Sequence, residues 1–427
     1  MKTIATRRPA ATLAALLTTL TLGLGAPAGT WAQPAAAASA PAAGARAELA
    51  KPVQAAQQAI AAKNYPEALA RLAEAEAMPN LSPYESYLVL RTKAPALFGA
   101  GELAKALDTF EQVLPLPDMP EADRQPLREN MVRIAVQLKD YPRALKLLGA
   151  YLGAGGSNAE LRALQPQLMA ITGDDAGAVR VYTATLAADD AAGRTPTEPL
   201  LRRLAASQDK VGDKAGYLQS VERLAGLTGK PDYWQMLAAL LVRQPGFAED
   251  RLLLDVYRLR RATGLSLQGG ELADMAYRAQ QAGLPAEAKA LLDEGFAAKL
   301  LGEGAEAAND RKLRDQVNKA AAQDQASWND SEAGARQGKD GNALVNLGMA
   351  LSGAGQHERA LALMNAGVAK GGLRRPDEVM LHLGLAQWRA GQTEAALKTL
   401  AAVGGSDGTA SLARLWTLHL KRTPAAR

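Results

Sequence analysis

Gly355-Gln356-His357-Glu358-Arg359-Ala360-Leu361-Ala362-Leu363-Met364 and, 36 residues on, Gly391-Gln392-Thr393-Glu394-Ala395-Ala396-Leu397-Lys398-Thr399-Leu400 share one arrangement: a glycine turn, then an alanine followed four residues later by a large apolar residue. Working outward, the same step recurs at Ala68/Leu72, Ala106/Phe110, Ala144/Leu148, Ala178/Tyr182 and Ala288/Leu292. Successive alanines stand 38, 38, 34, 110, 72 and 36 residues apart, and the two long gaps correspond to about three and two periods. A period of this length predicts an all-α solenoid of about ten two-helix units. Each unit then contacts only its neighbours, so 427 residues need not divide into separate globular domains.

A helix-breaking step precedes each alanine: Lys63-Asn64-Tyr65, Gly101-Glu102-Leu103, Lys139-Asp140-Tyr141, Gly173-Asp174-Asp175, Gly283-Leu284-Pro285 and the two quoted above. Glycine, asparagine and aspartate tolerate the left-handed backbone that ends one helix before the next begins. Upstream of the last two turns, Leu344, Leu347, Gly348, Leu351 and then Met380, Leu383, Gly384 have the spacing of an apolar helix face. The glycine in each face allows close approach of the second helix. On these residues the chain resembles the tetratricopeptide repeat (TPR) family. The resemblance implies a superhelical solenoid of antiparallel helix pairs, with the first helix of each pair lining a concave groove.

Other stretches are less regular. Lys214-Ala215-Gly216-Tyr217 has tyrosine where the anchor alanine belongs, with Val221 in the apolar slot. Trp234, Leu237, Ala238 and Leu241 open a helix that Gln244-Pro245-Gly246 interrupts, and 250–261 reads as its partner. Leu412, Leu415, Trp416 and Leu418 suit a helix capping the end of the array. The expected organisation is a signal peptide over 1–32, an Ala/Pro-rich flexible leader over 33–48, a TPR-like array over 49–230, and central units over 231–302. A charged, irregular helical spacer over 303–340 and the C-terminal units with their capping helix over 341–427 complete it.

The export expectation rests on Lys2, Arg7 and Arg8 as a basic start, an apolar run from Ala10 to Leu24, and small-residue cleavage sites ending at Ala32 or, as the alternative, Ala28. Pro9-Ala10-Ala11 follows Arg7-Arg8 where a twin-arginine signal carries a bulky hydrophobic pair, which favours the general secretion route. The apolar run is too short to span a membrane. No cysteine is present, so neither a lipid anchor nor a disulfide is expected. A periplasmic protein with no transmembrane segment after cleavage is the resulting expectation. Three of the 49 basic side chains and none of the 44 acidic ones lie in the first 32 residues, leaving a nearly balanced 46 against 44. That balance gives no reason to expect a nucleic-acid partner.

Chemistry-bearing motifs are few. His357, His382 and His419 are not at metal-ligand spacing. Gly153-Ala154-Gly155-Gly156 lacks the Lys-Ser/Thr of a phosphate loop and falls between units. No enzyme, cofactor or metal is expected. If the first helices line a groove, its inward set is Arg91, Asn130, Arg133, Arg202, Arg243, Asn346, His382 and Arg389. Arginine forks suit carboxylates, so an acidic segment or a chain terminus fits them, whereas ordinary solvated charges are the alternative reading.

A narrower resemblance covers about Asp232 to Leu420. Tyr233-Trp234-Gln235-Met236-Leu237, Gly283-Leu284-Pro285-Ala286-Glu287-Ala288 with Leu291-Leu292-Asp293-Glu294-Gly295-Phe296, and Lys370-Gly371-Gly372-Leu373-Arg374-Arg375-Pro376-Asp377 resemble periplasmic TPR proteins that accompany TonB, ExbB and ExbD systems. The resemblance implies a protein-binding accessory of a transport-energising complex, contacting the periplasmic parts of TonB or ExbD. Two alternatives stand beside it: a scaffold for envelope assembly or polysaccharide export, and an enzyme or small-ligand binder with its pocket in Gly302 to Gly341.

Overall fold

A link of three residues between two helices leaves room for one reversal and little else, so the chain folds back as an antiparallel pair. The computed structural model describes residues 44–422; the expected signal peptide and the leader up to residue 43 lie outside the described residues. The described residues form twenty α-helices and no strand. They gather into two units, the first holding residues up to 196 with 206–213, the second 197–205 with 214 onward.

The first unit contains the pairs α1 (Ala47–Ala61) and α2 (Tyr65–Glu76), α3 (Pro83–Gly99) and α4 (Leu103–Val113), α5 (Glu121–Gln137) and α6 (Tyr141–Gly153), and α7 (Ala159–Ile171) and α8 (Asp175–Ala191). α9 (Glu198–Lys210) contributes residues to both units. At each turn two jobs fall to two neighbouring residues. Lys63, Gly101, Lys139 and Gly173 take positive φ, 59°, 79°, 59° and 92°. The next residue stays at negative φ, and its amide closes the finished helix, as in Asn64 N–H to Ala59 O at 2.8 Å. Asn64, Asp140 and Asp174 then cap the following helix, with side chains that accept from the amides of Glu67, Arg143 and Gly177.

The second unit runs through α10 (Lys214–Thr228), α11 (Pro231–Val242), α12 (Glu249–Ala262), α13 (Gly269–Gln281) and α14 (Pro285–Ala297). It continues through a short 3-10 turn at Gly304–Glu306 into α15 (Ala307–Gln337), α16 (Asn342–Gly353), α17 (His357–Lys370), α18 (Pro376–Arg389), α19 (Thr393–Ala401) and α20 (Thr409–Arg422). The stretch 303–340 is therefore the 3-10 turn plus one helix of 31 residues, buried only at Asp310, Val317 and Ala335.

All seven anchor alanines are fully buried, and so are their partners Leu72, Phe110, Leu148, Tyr182, Leu292, Met364 and Leu400. Burying a side chain the size of leucine contributes roughly 1.5–3 kcal/mol, so these seams carry much of the core. A Cβ on Gly348 would lie 2.4 Å from Met364 Cγ and 2.9 Å from Ala360 O, and one on Gly384 would lie 2.7 Å from Leu400 Cγ. These two glycines set the close spacing of α16 on α17 and α18 on α19.

Two features of the second unit depart from simple stacking. α12 is buried at Leu252 and at every position from Leu254 to Leu259, so all its faces are covered. α20 packs on α18 and α19 as a cap would, and it also packs on α10 and α12. Arg251 on α12 bonds Asp407 at 2.5 Å and also Glu378, Ala248 N–H meets Asp407 O at 2.9 Å, and Arg422 donates to Thr228 O at 3.0 Å. The unit is a closed circuit of helices around α12.

Candidate functional site

Charge buried on a covered helix needs partners close at hand, because a desolvated ion without one costs several kcal/mol. On α12 that requirement falls on Asp255 and Arg258, one turn apart. Arg258 Nη1 donates to Asp255 Oδ1 at 2.6 Å, and its Nε and Nη2 grip both oxygens of Glu287, on the first turn of α14, at 2.8 and 2.6 Å. His382 and Arg389 lie seven residues apart, hence on one face of α18. His382 Nε2 is 3.0 Å from Asp255 Oδ2, and Arg389 Nη2 donates to Glu287 Oε1 at 3.2 Å.

The electrostatics follow from that geometry. Burial would raise the Asp255 carboxyl, but the fields of His382 and Arg258 outweigh it and hold it below the usual range. Glu287 is likewise opposed by burial and brought down by Arg258 and Arg389, from 4.5 to about 2. Arg258 is pushed up by its two carboxylates against the effect of burial. Arg389 moves the other way, lowered by burial and by the neighbouring charge of Arg258. Of the two arginines it is the one with a single carboxylate bond, where Arg258 has three.

The network floors a cleft of about 490 Å³ lined by residues that include Arg258, Glu287, Ser352, Trp388, Arg389 and Trp416. The Trp388 and Trp416 ring centroids are 5.0 Å apart. Arg261 and Glu294 form a pair at 2.7 Å on the same wall. A smaller void of about 10 Å³, lined in part by Ser352, His382 and Arg389, lies beside it and is about the size of one water site. No residue of Gly302 to Gly341 lines the cleft. Among the described residues no group of three or more His, Asp or Glu could hold a metal ion.

Of the eight residues expected to line a groove, only His382 and Arg389 are brought together here. Arg202 is half-buried on α9, while Arg243, at the end of α11, and Asn346, on α16, are exposed. In the first unit, Arg91 on α3 faces Asp123 on α5 at 3.8 Å, and Arg133 on α5 reaches Glu160 on α7 at 3.4 Å as well as Glu129 at 2.9 Å. These two arginines link successive first helices; Asn130 is half-buried beside them on α5. Sequence reasoning missed Asp255, Arg258 and Glu287. The available signal was an Asp and an Arg at i, i+3 inside the apolar run from Leu252 to Leu259, where solvent was not the only partner on offer.

The Lys370–Asp377 stretch is held by backbone and amide contacts. Gly371 and Gly372 take φ of 74° and 68°, Gly371 O accepts from Gly341 N–H at 2.8 Å, and Arg374 N–H donates to Asn342 Oδ1 at 3.1 Å. This loop ties the end of α17 to the start of α16. Among the described residues no helix is long and apolar enough to cross a membrane.

No protein-family model matches the chain, and no curated protein matches it. Similar solved structures include a tetratricopeptide repeat protein from Parabacteroides merdae, at 11% identity over 79% of this chain and 99% of that one, TM-score 0.27. Yeast Tom70 is similar at 10% identity over 88% of this chain and 96% of that one, TM-score 0.24. A chain of the Naa15/Naa10 complex bound to HypK-THB is similar at 13% identity over 85% of this chain and 58% of that one, TM-score 0.32. At such scores the description of the fold rests on this chain's own helix pairs.

Proposed function

We propose that this protein is an exported, periplasmic scaffold that binds protein partners, and that it serves a TonB-linked transport-energising complex by contacting the periplasmic parts of TonB or ExbD. The observation that carries the scaffold reading is the division of labour along the helix pairs. Buried alanine and leucine seams fix the frame, while polar side chains such as Arg91, Arg133, Arg243 and Asn346 are left on its outside. Such a frame tolerates change on its surface without losing its fold, which suits partner recognition. Export is supported by the basic start and apolar run of the first 32 residues, and the TonB link by the residues quoted between Asp232 and Leu420.

The test is crosslinking of the tagged protein in its native envelope, followed by purification and mass spectrometry, with Arg91→Glu and Arg243→Glu alongside. Both side chains are exposed, so charge reversal there spares the core. Recovery of TonB or ExbD, reduced in at least one variant, is the expected result. Recovery of polysaccharide-export or cell-wall machinery instead would overturn the assigned pathway, and a protein retained uncleaved in the cytoplasm would overturn export.

A further inference from the structure

The cleft of the second unit holds polar groups that have unused hydrogen-bonding capacity. Arg389 carries five N–H donors and spends one, on an oxygen of Glu287 that Arg258 already occupies. Trp416 is 1% exposed, yet its indole nitrogen, which can only donate, has no partner. Ser352, 4% exposed, has a hydroxyl with no partner, and His357 Nδ1 is in the same state. All four residues line the cleft. Buried polar atoms are nearly always satisfied, so three in one cleft, at Trp416, Ser352 and His357, mark a missing partner, and the Trp416 nitrogen requires that partner to be an acceptor.

The acids already present do not oppose an anion. Both oxygens of Glu287 are bonded by arginine, and both oxygens of Glu294 by Arg261, at 3.1 and 2.7 Å. The remainder of the wall is apolar, with Met275, Leu291, Leu385 and the Trp388–Trp416 pair. Trp416 of α20 lines the space, and about 490 Å³ falls in the range of small-molecule sites.

From this convergence we infer that the cleft is a binding site for a small organic carboxylate with an apolar or aromatic body, the carboxylate taking the free donors of Arg389 and Trp416 and the body lying against Trp388. This goes beyond the scaffold function and does not depend on it. The binding is tested on the full chain with 4-phenylbutyrate and its neutral amide, 4-phenylbutanamide, by calorimetry and tryptophan fluorescence. The peptide acetyl-Ala-Ala-Phe, with a free terminal carboxyl, is run beside them.

Saturable binding of 4-phenylbutyrate is expected, with the amide weaker by about tenfold or more. Arg389→Gln should weaken the acid by at least about tenfold, and Trp416→Phe, which keeps an aromatic ring but not the donor, by roughly threefold to tenfold. Trp416→Phe keeps the test decisive if Arg389→Gln fails to fold. Equal affinity for acid and amide, no saturation up to about 10 mM, an affinity unmoved in Trp416→Phe, or binding of the peptide alone would each overturn the inference.

Discussion

At the scale of single residues, Lys63 and Lys139 do with a side chain what glycine does at the other turns. Each holds a positive φ of 59°, a conformation that costs an L-residue roughly 1–2 kcal/mol. Replacing Lys139 by glycine should therefore stabilise the first unit, by about 0.5–1 kcal/mol after the added freedom of the unfolded chain is counted. Urea denaturation measures it, and a lower midpoint would contradict this account of the turn. The turns were legible in sequence because their chemistry is local. At the two turns without glycine, which residue takes the left-handed conformation was not, since Asn64 and Asp140 tolerate it better than the lysines that adopt it. The Asp255–Arg258–Glu287 network was also hidden, because its members are distant in sequence and meet only when α12 is enclosed.

That network makes an acid-dependent prediction. Glu287 has its folded value near 2 against an ordinary 4.5, and Asp255 is shifted the same way. Their contribution is fully present above the ordinary carboxylate range and is lost as pH falls from about 4.5 toward 2. The second unit should lose stability over that window. Glu287→Gln should flatten the slope and cost about 3–5 kcal/mol at neutral pH, because it leaves Arg258 and Arg389 buried with less to hold them. Chemical denaturation at pH 7 and pH 3 checks both parts, and an unchanged pH slope in the variant would count against the assignment.

At the scale of elements, the seam of each helix pair was readable from spacing alone: an alanine, a large residue four positions on, and a small residue on the facing helix. Gly348 tests how tight that seam is. Gly348→Ala drives a methyl into Met364 and the Ala360 carbonyl, and should destabilise by roughly 1–3 kcal/mol. Gly353→Ala is the control on the same helix, where the new Cβ meets the Glu287 Cβ at 3.2 Å; its cost should be smaller. Thermal melts of the two variants rank them, and the reverse order would mean that α16 and α17 can move apart freely. α12 was harder to place, because its many charges read as a solvated face although two of them are internal partners.

At the scale of the molecule, periodicity identified an array but not the contacts that close it, since the partners of α20 on α10 and α12 lie about 150 to 200 residues away in sequence. An open stack and a closed circuit answer differently to removal of the last helix. In a stack, truncation frays the neighbouring units and leaves distant ones protected. In the circuit described here, α20 buries Leu412, Leu415 and Trp416 and supports α10 and α12 as well as α18 and α19. Hydrogen exchange on a chain ending at Gly405 tests this most directly: protection should fall together in α10, α12, α18 and α19 and stay unchanged in α1 to α6. Loss confined to α18 and α19, with α10 and α12 protected as in the full chain, would contradict the closed circuit.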